Sequence, residues 1–235
     1  MSVLNAILKV AGKENFEFDP AIPTSYIFRQ CWKYGWMMFR GMFYSLVYKN
    51  ISRSIFVGKK IKMISKKNIS IGSKTKIQDG VYIDALSRKG VKIGENVVIG
   101  RNSRIECTGS LQSVGKGVII GDRTTFGNDC IFGAAGGIEI GDDVVAGQLI
   151  RFHSENHNFT DVSKLIRDQG VTHKGIKIGN NCRIGSGSVF LDGSQLGNGC
   201  VVAANAVVTK KFPDNVVIAG VPAKIIKVRT ELNDL

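Results

Sequence analysis

The sequence predicts an all-β fold in which short parallel strands wind into a triangular prism of about six coils. Three observations predict it: an apolar residue recurs every six positions, glycine usually follows that residue, and every insertion falls at the same point of the repeat. Repetition at a short fixed period is typical of coiled β architectures, because each coil buries its apolar side by stacking on its neighbours.

The repeat consists of eighteen apolar positions, and eleven of them have glycine next. Six residues suit one short strand and a sharp corner, and glycine adopts corner conformations that other residues avoid. Read as triplets, one per coil, the positions are Ile71, Ile77, Ile83; Ile93, Ile99, Ile105; Ile120, Phe126, Phe132; Ile140, Ala146, Phe152; Ile178, Ile184, Phe190; and Leu196, Val202, Val208.

The insertions indicate where the functional loops lie. Spacing is six within each triplet, but 10, 15, 8, 26 and 6 between successive triplets, so each insertion follows the third strand of a coil. The loops should therefore protrude along one edge of the prism. The largest spans about residues 154–175, and loops on a rigid scaffold are where function concentrates.

This pattern resembles the hexapeptide-repeat acyltransferases across residues 55–229. The resemblance implies a left-handed parallel β-helix, acetyl-CoA as co-substrate without a required metal, and a homotrimer with active sites between neighbouring prisms. Residues 1–54 would then form an N-terminal helical arm rich in basic and aromatic residues, and residues 230–235 a short tail.

The candidate catalytic base is His157. It lies near the start of the large loop, which returns to a coil reading Ile178-Gly179-Asn180-Asn181, as in galactoside, maltose and related sugar acetyltransferases. Imidazole has a pKa near working pH and suits proton transfer from an acceptor hydroxyl. We expect Glu155 to contact substrate, with Glu155 or a backbone carbonyl fixing the tautomer of the base. His153 lies on the wall of the last strand before the loop, where it would contact substrate or serve a structural role. His173 is interpreted as an ordinary loop residue.

The remaining site residues follow from the same resemblance. Asn128 resembles the acceptor-binding Asn, its alternative being a simple corner residue. The C-terminal coils and the Gly-Val-Pro-Ala turn at residues 220–223 resemble the family's coenzyme A region. That likeness puts Ser186, Ala204 and Thr209 along the pantetheine. It puts Lys224 and Lys227 near the CoA phosphates. Arg183 departs from the family, which often has Trp at this position.

The function we predict is acetyl transfer from acetyl-CoA to a saccharide hydroxyl, in the biosynthesis of a surface polysaccharide. Three alternatives stay open: N-acetylation of an amino sugar or nucleotide sugar, a catalytically silent β-helix, and a metalloenzyme of the γ-carbonic anhydrase type. That last fold relative binds zinc through three His from separate coils, whereas here all three His lie between residues 153 and 173. No recognition motif supports nucleic-acid binding.

The N-terminal arm is strongly basic. The chain has a net charge of +13, and no Asp or Glu occurs from Pro20 to Gln78. Residues 24–48 are predicted to be helical, with basic and aromatic residues on adjacent faces, which favours either peripheral contact with the inner membrane face or packing on the prism. Five scattered Cys without a CxxC pair indicate reduced thiols, and we expect a cytoplasmic protein.

Overall fold

The structure is a computed structural model that describes residues 18–110 and 112–229. Residues 1–17 of the predicted arm and the predicted tail at residues 230–235 lie outside the described residues. Nearly all of the described chain forms one left-handed parallel β-helix, preceded by the helix α1 (Thr24–Val47). The predicted fold is confirmed.

Three sheets form the sides of the prism, and the chain visits them in turn. The first sheet contains Phe56–Val57, Lys76–Ile77, Val98–Ile99, Thr125–Phe126, Val145–Ala146, Arg183–Ile184, Val201–Val202, Val216–Ala219 and Lys224–Val228. The second contains Lys62–Ile64, Tyr82–Asp84, Arg104–Glu106, Ile131–Gly133, Arg151–His153, Val189–Leu191 and Val207–Val208. The third contains Ile69–Ile71, Val91–Ile93, Val118–Ile120, Ile138–Ile140, Ile176–Ile178, Gln195–Leu196 and Lys211–Phe212.

All pairings within these sheets are parallel except the last, in which Lys224–Val228 runs antiparallel to Val216–Ala219. Three edges separate the sheets. We call the corner between the first and second sheets the first edge, that between the second and third the second edge, and the remaining corner the third edge. Every predicted insertion lies at the second edge, as the spacing requires.

The eighteen predicted inward positions are all buried, each with at most 5% of its surface exposed. Their registers stack them in columns: Phe132 pairs with Ile105 on one side and Phe152 on the other. The rings of Phe132 and Phe152 stack with centroids 4.9 Å apart, and Phe190 follows at 5.1 Å. Apolar burial in these columns, at about 25 cal/mol per Å², is the main source of stability.

The glycine after each inward residue is explained by the closeness of successive coils. A Cβ placed on Gly100 would lie 2.0 Å from the carbonyl oxygen of Gly127 in the next coil. No side chain fits that space, so larger residues at this position would push the coils apart. The periodic glycines therefore set the stacking distance at the corners.

The prism is longer than the six coils that the triplets predict. Ile51, Val57 and Met63 form an earlier coil in register with the first predicted one, and Ile51 is already joined to Ile71 by a parallel bridge. Phe212 and Ile218 add a partial coil at the other end. The spacing of six extends to these residues, and the β-helix thus begins before residue 55.

Helix α1 packs on the first coil. Ile27 and Met37 are buried, and a Cβ on Gly41 would lie 2.0 Å from the carbonyl oxygen of Ile55. The Arg40 Nε donates to the carbonyl oxygens of Val57 (2.8 Å), which ends the terminal strand of the first sheet, and of Gly58 (3.1 Å), which follows it. The helix therefore covers the open side of the terminal strand, which could otherwise pair with another strand. The predicted packing of the helix on the prism is thus found.

The cysteines are all free thiols, and only Cys31 is exposed. Cys130, Cys182 and Cys200 occupy small inward slots beside the corners, and Cys107 is also buried. Burial in apolar surroundings raises the pKa of Cys107, Cys130 and Cys182 to about 11.

We therefore predict that iodoacetamide at pH 8 alkylates Cys31 in the native protein and spares the buried thiols, because the thiolate is the nucleophile and is scarce well below its pKa. Peptide mass spectrometry measures the modification at each site. All five thiols should react in denaturant, which serves as the control. Labelling of Cys107, Cys130 or Cys182 at the rate of Cys31 in native protein would contradict the burial.

Candidate active site

The large loop at the second edge begins at a buried anchor. Ser154 is fully buried; its hydroxyl donates to the carbonyl of Gly133 (2.8 Å) and accepts the N–H of Gly136 (3.0 Å). The loop then forms an antiparallel hairpin of Asn156–His157 with Val171–Thr172. These bonds fix the base of the loop to the prism.

The returning arm of the hairpin is held by charged side chains from neighbouring coils. The Thr172 hydroxyl lies 3.2 Å from the Asp192 carboxylate, which also accepts the N–H groups of Lys174 and Gly175. The Lys116 ammonium donates to the carbonyl of His173 at 2.7 Å. The hairpin therefore protrudes from the second edge with a defined position.

The three histidines differ sharply in their surroundings. His173 Nε2 lies 2.6 Å from Glu155 Oε2, and both side chains are largely buried, with 23% and 34% exposed. His157 and His153 are exposed, and neither ring forms a side-chain hydrogen bond within the described chain.

The pairing removes one alternative and corrects one expectation. Glu155, one of the two groups considered for fixing the tautomer of His157, contacts His173 instead, and His173 is a structural partner rather than an ordinary loop residue. The loop brings the two together because Glu155 precedes one hairpin strand and His173 follows the other. Glu155 and His173 are eighteen residues apart in sequence, and no periodic signal links them.

A second group of predicted residues lies along the first edge. Asn128, Ser186 and Ala204 each follow a strand of the first sheet, in separate coils that stack at about 4.8 Å intervals. Gln148 lies between Asn128 and Ser186 in the same column. Ser186 and Ala204 are exposed and Asn128 is half-buried. The structure thus brings these three predicted residues together on one edge.

The third edge shows how a corner normally satisfies its backbone. Five N–H groups there each donate to an Asp or Asn side chain of the next coil, all at 2.8 Å. The pairs are Glu95 to Asp122, Asp122 to Asp142, Asp142 to Asn180, Asn180 to Asn198, and Asn198 to Asp214. This ladder leaves no N–H in that series for a ligand.

The corresponding ladder at the first edge is broken. Lys59 donates to Asp79 (2.7 Å) and Arg101 to Asn128 (2.9 Å), but the next three positions of the column carry Gln148, Ser186 and Ala204. Within the described chain, the N–H groups of Asn128, Gln148, Ser186 and Ala204 form a continuous row without a hydrogen-bond partner, and the Asp79 N–H, earlier in the column, also has none. Exposed N–H groups in a row can bind the carbonyl oxygens of an extended ligand.

Asn128 has one amide atom in use at this edge and one free. Its Oδ1 accepts the Arg101 N–H, which is the corner role, while its Nδ2 has no partner among the described residues. The amide therefore has a donor available for a ligand. Both interpretations of Asn128 are compatible, since each uses a different atom.

The C-terminal turn extends the first edge. The carbonyl of Gly220 accepts the Val207 N–H (3.0 Å), and the Ala223 N–H donates to the carbonyl of Val207 (2.8 Å). Lys224 and Lys227 follow on the final strand, and both are exposed. Thr209 is placed elsewhere: it follows a strand of the second sheet and therefore lies at the second edge, with the loop.

The predicted site residues thus fall into two groups on different edges of one chain. Asn128, Ser186 and Ala204 lie at the first edge, whereas His157 and Thr209 lie at the second, and one side of the prism separates the two. Within the two described ranges, residues 18–110 and 112–229, no group of three or more His, Cys, Asp or Glu side chains is arranged to hold a metal ion.

The pairing of Glu155 with His173 makes a prediction about the loop. His173→Ala removes a partly exposed, charge-assisted hydrogen bond worth about 1 kcal/mol, so exchange of the Asn158 amide should accelerate roughly fivefold. That amide closes the hairpin through the carbonyl of Gly170. Hydrogen exchange measured by mass spectrometry tests it, with His153→Ala as the control that leaves exchange unchanged. Unaltered exchange in His173→Ala would show that the pair does not hold the loop.

Family models match two stretches of the β-helix. The model described as bacterial transferase hexapeptide (six repeats) matches residues 175–210, and the model described as hexapeptide repeat of succinyl-transferase matches residues 117–147. Both stretches consist of the coils in which the apolar residues recur every six positions. The matches lie on either side of the large loop.

Similar proteins carry transferase names. A protein named as a lipopolysaccharide biosynthesis O-acetyl transferase, WbbJ of Escherichia coli, is 31% identical over 145 residues, which cover 58% of this chain and 71% of the relative. A protein named as an acetyltransferase in Mycobacterium tuberculosis is 33% identical over 59% of this chain. Galactoside O-acetyltransferase of Escherichia coli is 37% identical over 41%. The chain spans 44% and 45% of the length of these last two.

A solved structure of similar fold is that of AntD, an N-acyltransferase from Bacillus cereus, in complex with dTDP and 3-hydroxybutyryl-CoA. It superimposes with a TM-score of 0.53 over 81% of this chain and 88% of that one, at 18% identity. This likeness concerns the fold alone. With the matching repeat models and the coverage of WbbJ, the comparisons show that the chain belongs to the hexapeptide-repeat transferase family.

Proposed function

We propose that this chain is an acetyl-CoA-dependent O-acetyltransferase that acts on a saccharide hydroxyl in surface polysaccharide biosynthesis. The observation that carries the proposal is the row of unpaired N–H groups along the first edge, next to the residues that resemble a coenzyme A site. The relative WbbJ, named for lipopolysaccharide biosynthesis, supports the choice of acceptor. Use of acetyl-CoA and reduced thiols favour a cytoplasmic reaction.

The residues of the first edge suit coenzyme A. Ala204 leaves room beside the backbone, and the N–H groups of Ser186 and Ala204 can bind the amide carbonyls of a pantetheine arm. Lys224 and Lys227 supply charge for phosphate groups. When bound, acetyl-CoA supplies the reactive thioester.

The separation of the two groups within one chain supports a homotrimer. In a closed ring of three prisms, the first edge of each chain meets the second edge of a neighbour. Such packing would set His157 and Thr209 of one chain beside Asn128 and Ser186 of the next. We propose that each of the three active sites is formed in this way, which also explains why His157 lacks a partner within its own chain.

His157 is the proposed general base. Its neutral imidazole takes the proton from the acceptor hydroxyl as the oxygen attacks the thioester carbonyl carbon. The carbon–sulfur bond then breaks, and the same proton passes from the imidazolium to the departing thiolate. No covalent enzyme intermediate is needed, because the hydroxyl attacks directly.

Two further groups stabilise the reaction. The unpaired N–H of Gln148 or Ser186 can donate to the thioester oxygen as negative charge develops there, and such preorganised donors are each worth about 3 kcal/mol. The free Nδ2 of Asn128 can orient the acceptor sugar. His153, exposed on the last strand before the loop, faces the same neighbouring chain as His157 in this arrangement.

We predict that acetyl-CoA binds the purified protein saturably, as measured by calorimetry with ATP as the control for general attraction to the +13 charge. Lys224→Ala should weaken binding about tenfold through loss of a phosphate contact, and Lys92→Ala, an exposed Lys on the third sheet, should leave it unchanged. His157→Ala should bind acetyl-CoA normally and lose 10²- to 10⁴-fold in kcat, an order-of-magnitude expectation for a general base.

The outcomes separate the alternatives. Binding of acetyl-CoA no stronger than that of ATP would overturn the proposal and favour a catalytically silent β-helix. Saturable binding with acetyl transfer only to amino sugars would make the protein an N-acetyltransferase. Full activity in His157→Ala would remove the proposed base but leave the coenzyme site intact.

A further inference from the structure

A cavity of about 620 Å³ lies between helix α1 and the start of the first edge. Five cationic side chains line it: Arg29, Lys33, Arg40, Lys59 and Arg101. One carboxylate, Asp79, is also present. The helix contributes three of the cations, and three successive coils of the prism contribute the other two and Asp79.

The positive charge of the cavity is not neutralised by the protein. None of the five cations forms an ion pair with an acidic side chain in the part of the chain that the structure describes. Arg40 is fixed through Nε by the carbonyls of Val57 and Gly58. The Asp79 carboxylate accepts the Lys59 N–H at 2.7 Å, so its charge is partly directed to the backbone.

An apolar groove of about 490 Å³ continues from the cavity along the same helix. The two share Trp32 and Trp36, and the groove adds Phe28 and Phe39. Gly35 forms part of the groove, and a Cβ placed there would meet nothing within 4 Å. Trp32 is 70% exposed and Phe28 63%, so large aromatic surfaces face outward.

A phosphate group followed by a hydrocarbon chain matches this arrangement. Anionic headgroups attract clustered Lys and Arg, and Trp favours the boundary between headgroup and acyl chain. A free phosphate would use the cavity and leave the aromatic groove unexplained. No helix among the described residues is long and apolar enough to cross a membrane. Basic and aromatic residues on adjacent faces of one helix suit contact with a single leaflet.

We propose that this cavity and groove bind an anionic lipid, with its phosphate among the five cations and its hydrocarbon chain against Trp32 and Trp36. The site lies on the first edge, one coil from Asn128, because the Arg101 N–H donates to Asn128 Oδ1 at 2.9 Å. Lipid bound here would hold the candidate acceptor position next to the membrane surface. The site stands on its own geometry and does not depend on acetyl transfer.

The test is flotation of the full chain with phosphatidylcholine vesicles, with and without phosphatidic acid. Binding should require phosphatidic acid, and Arg29→Gln/Arg101→Gln should lower partition roughly 30-fold, since each cation near an anionic surface contributes about a factor of five. The matched control is Lys92→Gln/Lys211→Gln. It removes the same charge from exposed positions on the third sheet and should change partition less than about threefold.

Trp32→Ser tests the groove, since it alters an exposed side chain and leaves every charge in place. It should lower partition about tenfold, a loss typical of an interfacial aromatic anchor. Equal losses in the control and in Arg29→Gln/Arg101→Gln would overturn the proposal in favour of general charge attraction. Binding of inorganic phosphate without vesicle binding would assign the cavity to a free anion instead, and equal binding to neutral vesicles would contradict the phosphate contact.

Discussion

The whole molecule depends on one constraint: each coil must place its three apolar side chains directly above those of the coil before it. Columns such as Ile105, Phe132, Phe152 and Phe190 satisfy it, with ring centroids about 5 Å apart in the aromatic section. A one-residue slip would turn a strand's apolar side outward. Because the interior tolerates no insertion, length variation is confined to corners, and the large loop is found at one.

The chemistry that we propose lies where the corners depart from uniformity. At the third edge, Asp and Asn side chains satisfy successive N–H groups, and that edge is closed to ligands. At the first edge the same device operates at Lys59 and Arg101 but not at Asp79, and it ends at Asn128. The N–H groups of Asn128 and of the next three residues in the column have no partner among the described residues. Replacement of an Asp or Asn by Gln, Ser or Ala at this corner leaves the N–H groups without a protein partner. Gln148, Ser186 and Ala204 are exposed, so their N–H groups are accessible to a ligand as well as to water, and we propose that coenzyme A binds there.

Helix α1 gives the prism a chemically distinct end. One face covers the terminal strand through Met37, Gly41 and Arg40. The opposite face carries exposed aromatic rings, and the cations between the two faces line the cavity with Lys59 and Arg101. Along the first edge the proposed lipid site, the proposed acceptor position at Asn128 and the proposed coenzyme groove follow one another from coil to coil.

The architecture could be predicted from the sequence because the repeat reports directly on burial: all eighteen inward positions are buried. Ile51, Val57 and Met63 of the early coil are also six residues apart, so the spacing could have predicted this coil. The signal there is weaker, because only Val57 is followed by glycine. The Glu155–His173 pair was not predictable, since loop contacts follow no period. The broken ladder at the first edge has a signal in the sequence, namely the residue types of one corner compared coil by coil.

The sequence could not decide which face of α1 is buried, and the reason is physical. Its sequence is apolar around most of the circumference, so the pattern does not single out one buried face. Only Ile27, Met37 and Gly41 are buried, and Gly41 is selected by closeness to a carbonyl rather than by hydrophobicity. The roles of individual site residues were also open, because in the proposed trimer each site combines the first edge of one chain with the second edge of its neighbour, and the sequence of one chain does not show such a contact.

The proposed meeting of edges between chains can be measured directly. In a Cys31→Ser background, where the remaining thiols are buried, Asn128→Cys/His157→Cys puts one reactive thiol on each edge. A short bis-maleimide should then join chains into a covalent trimer on a denaturing gel, and either single substitution should give no cross-link between chains. Cross-linking confined within single chains, or none at all in a protein that sediments as a trimer, would contradict an active site formed between the first edge of one chain and the second edge of its neighbour.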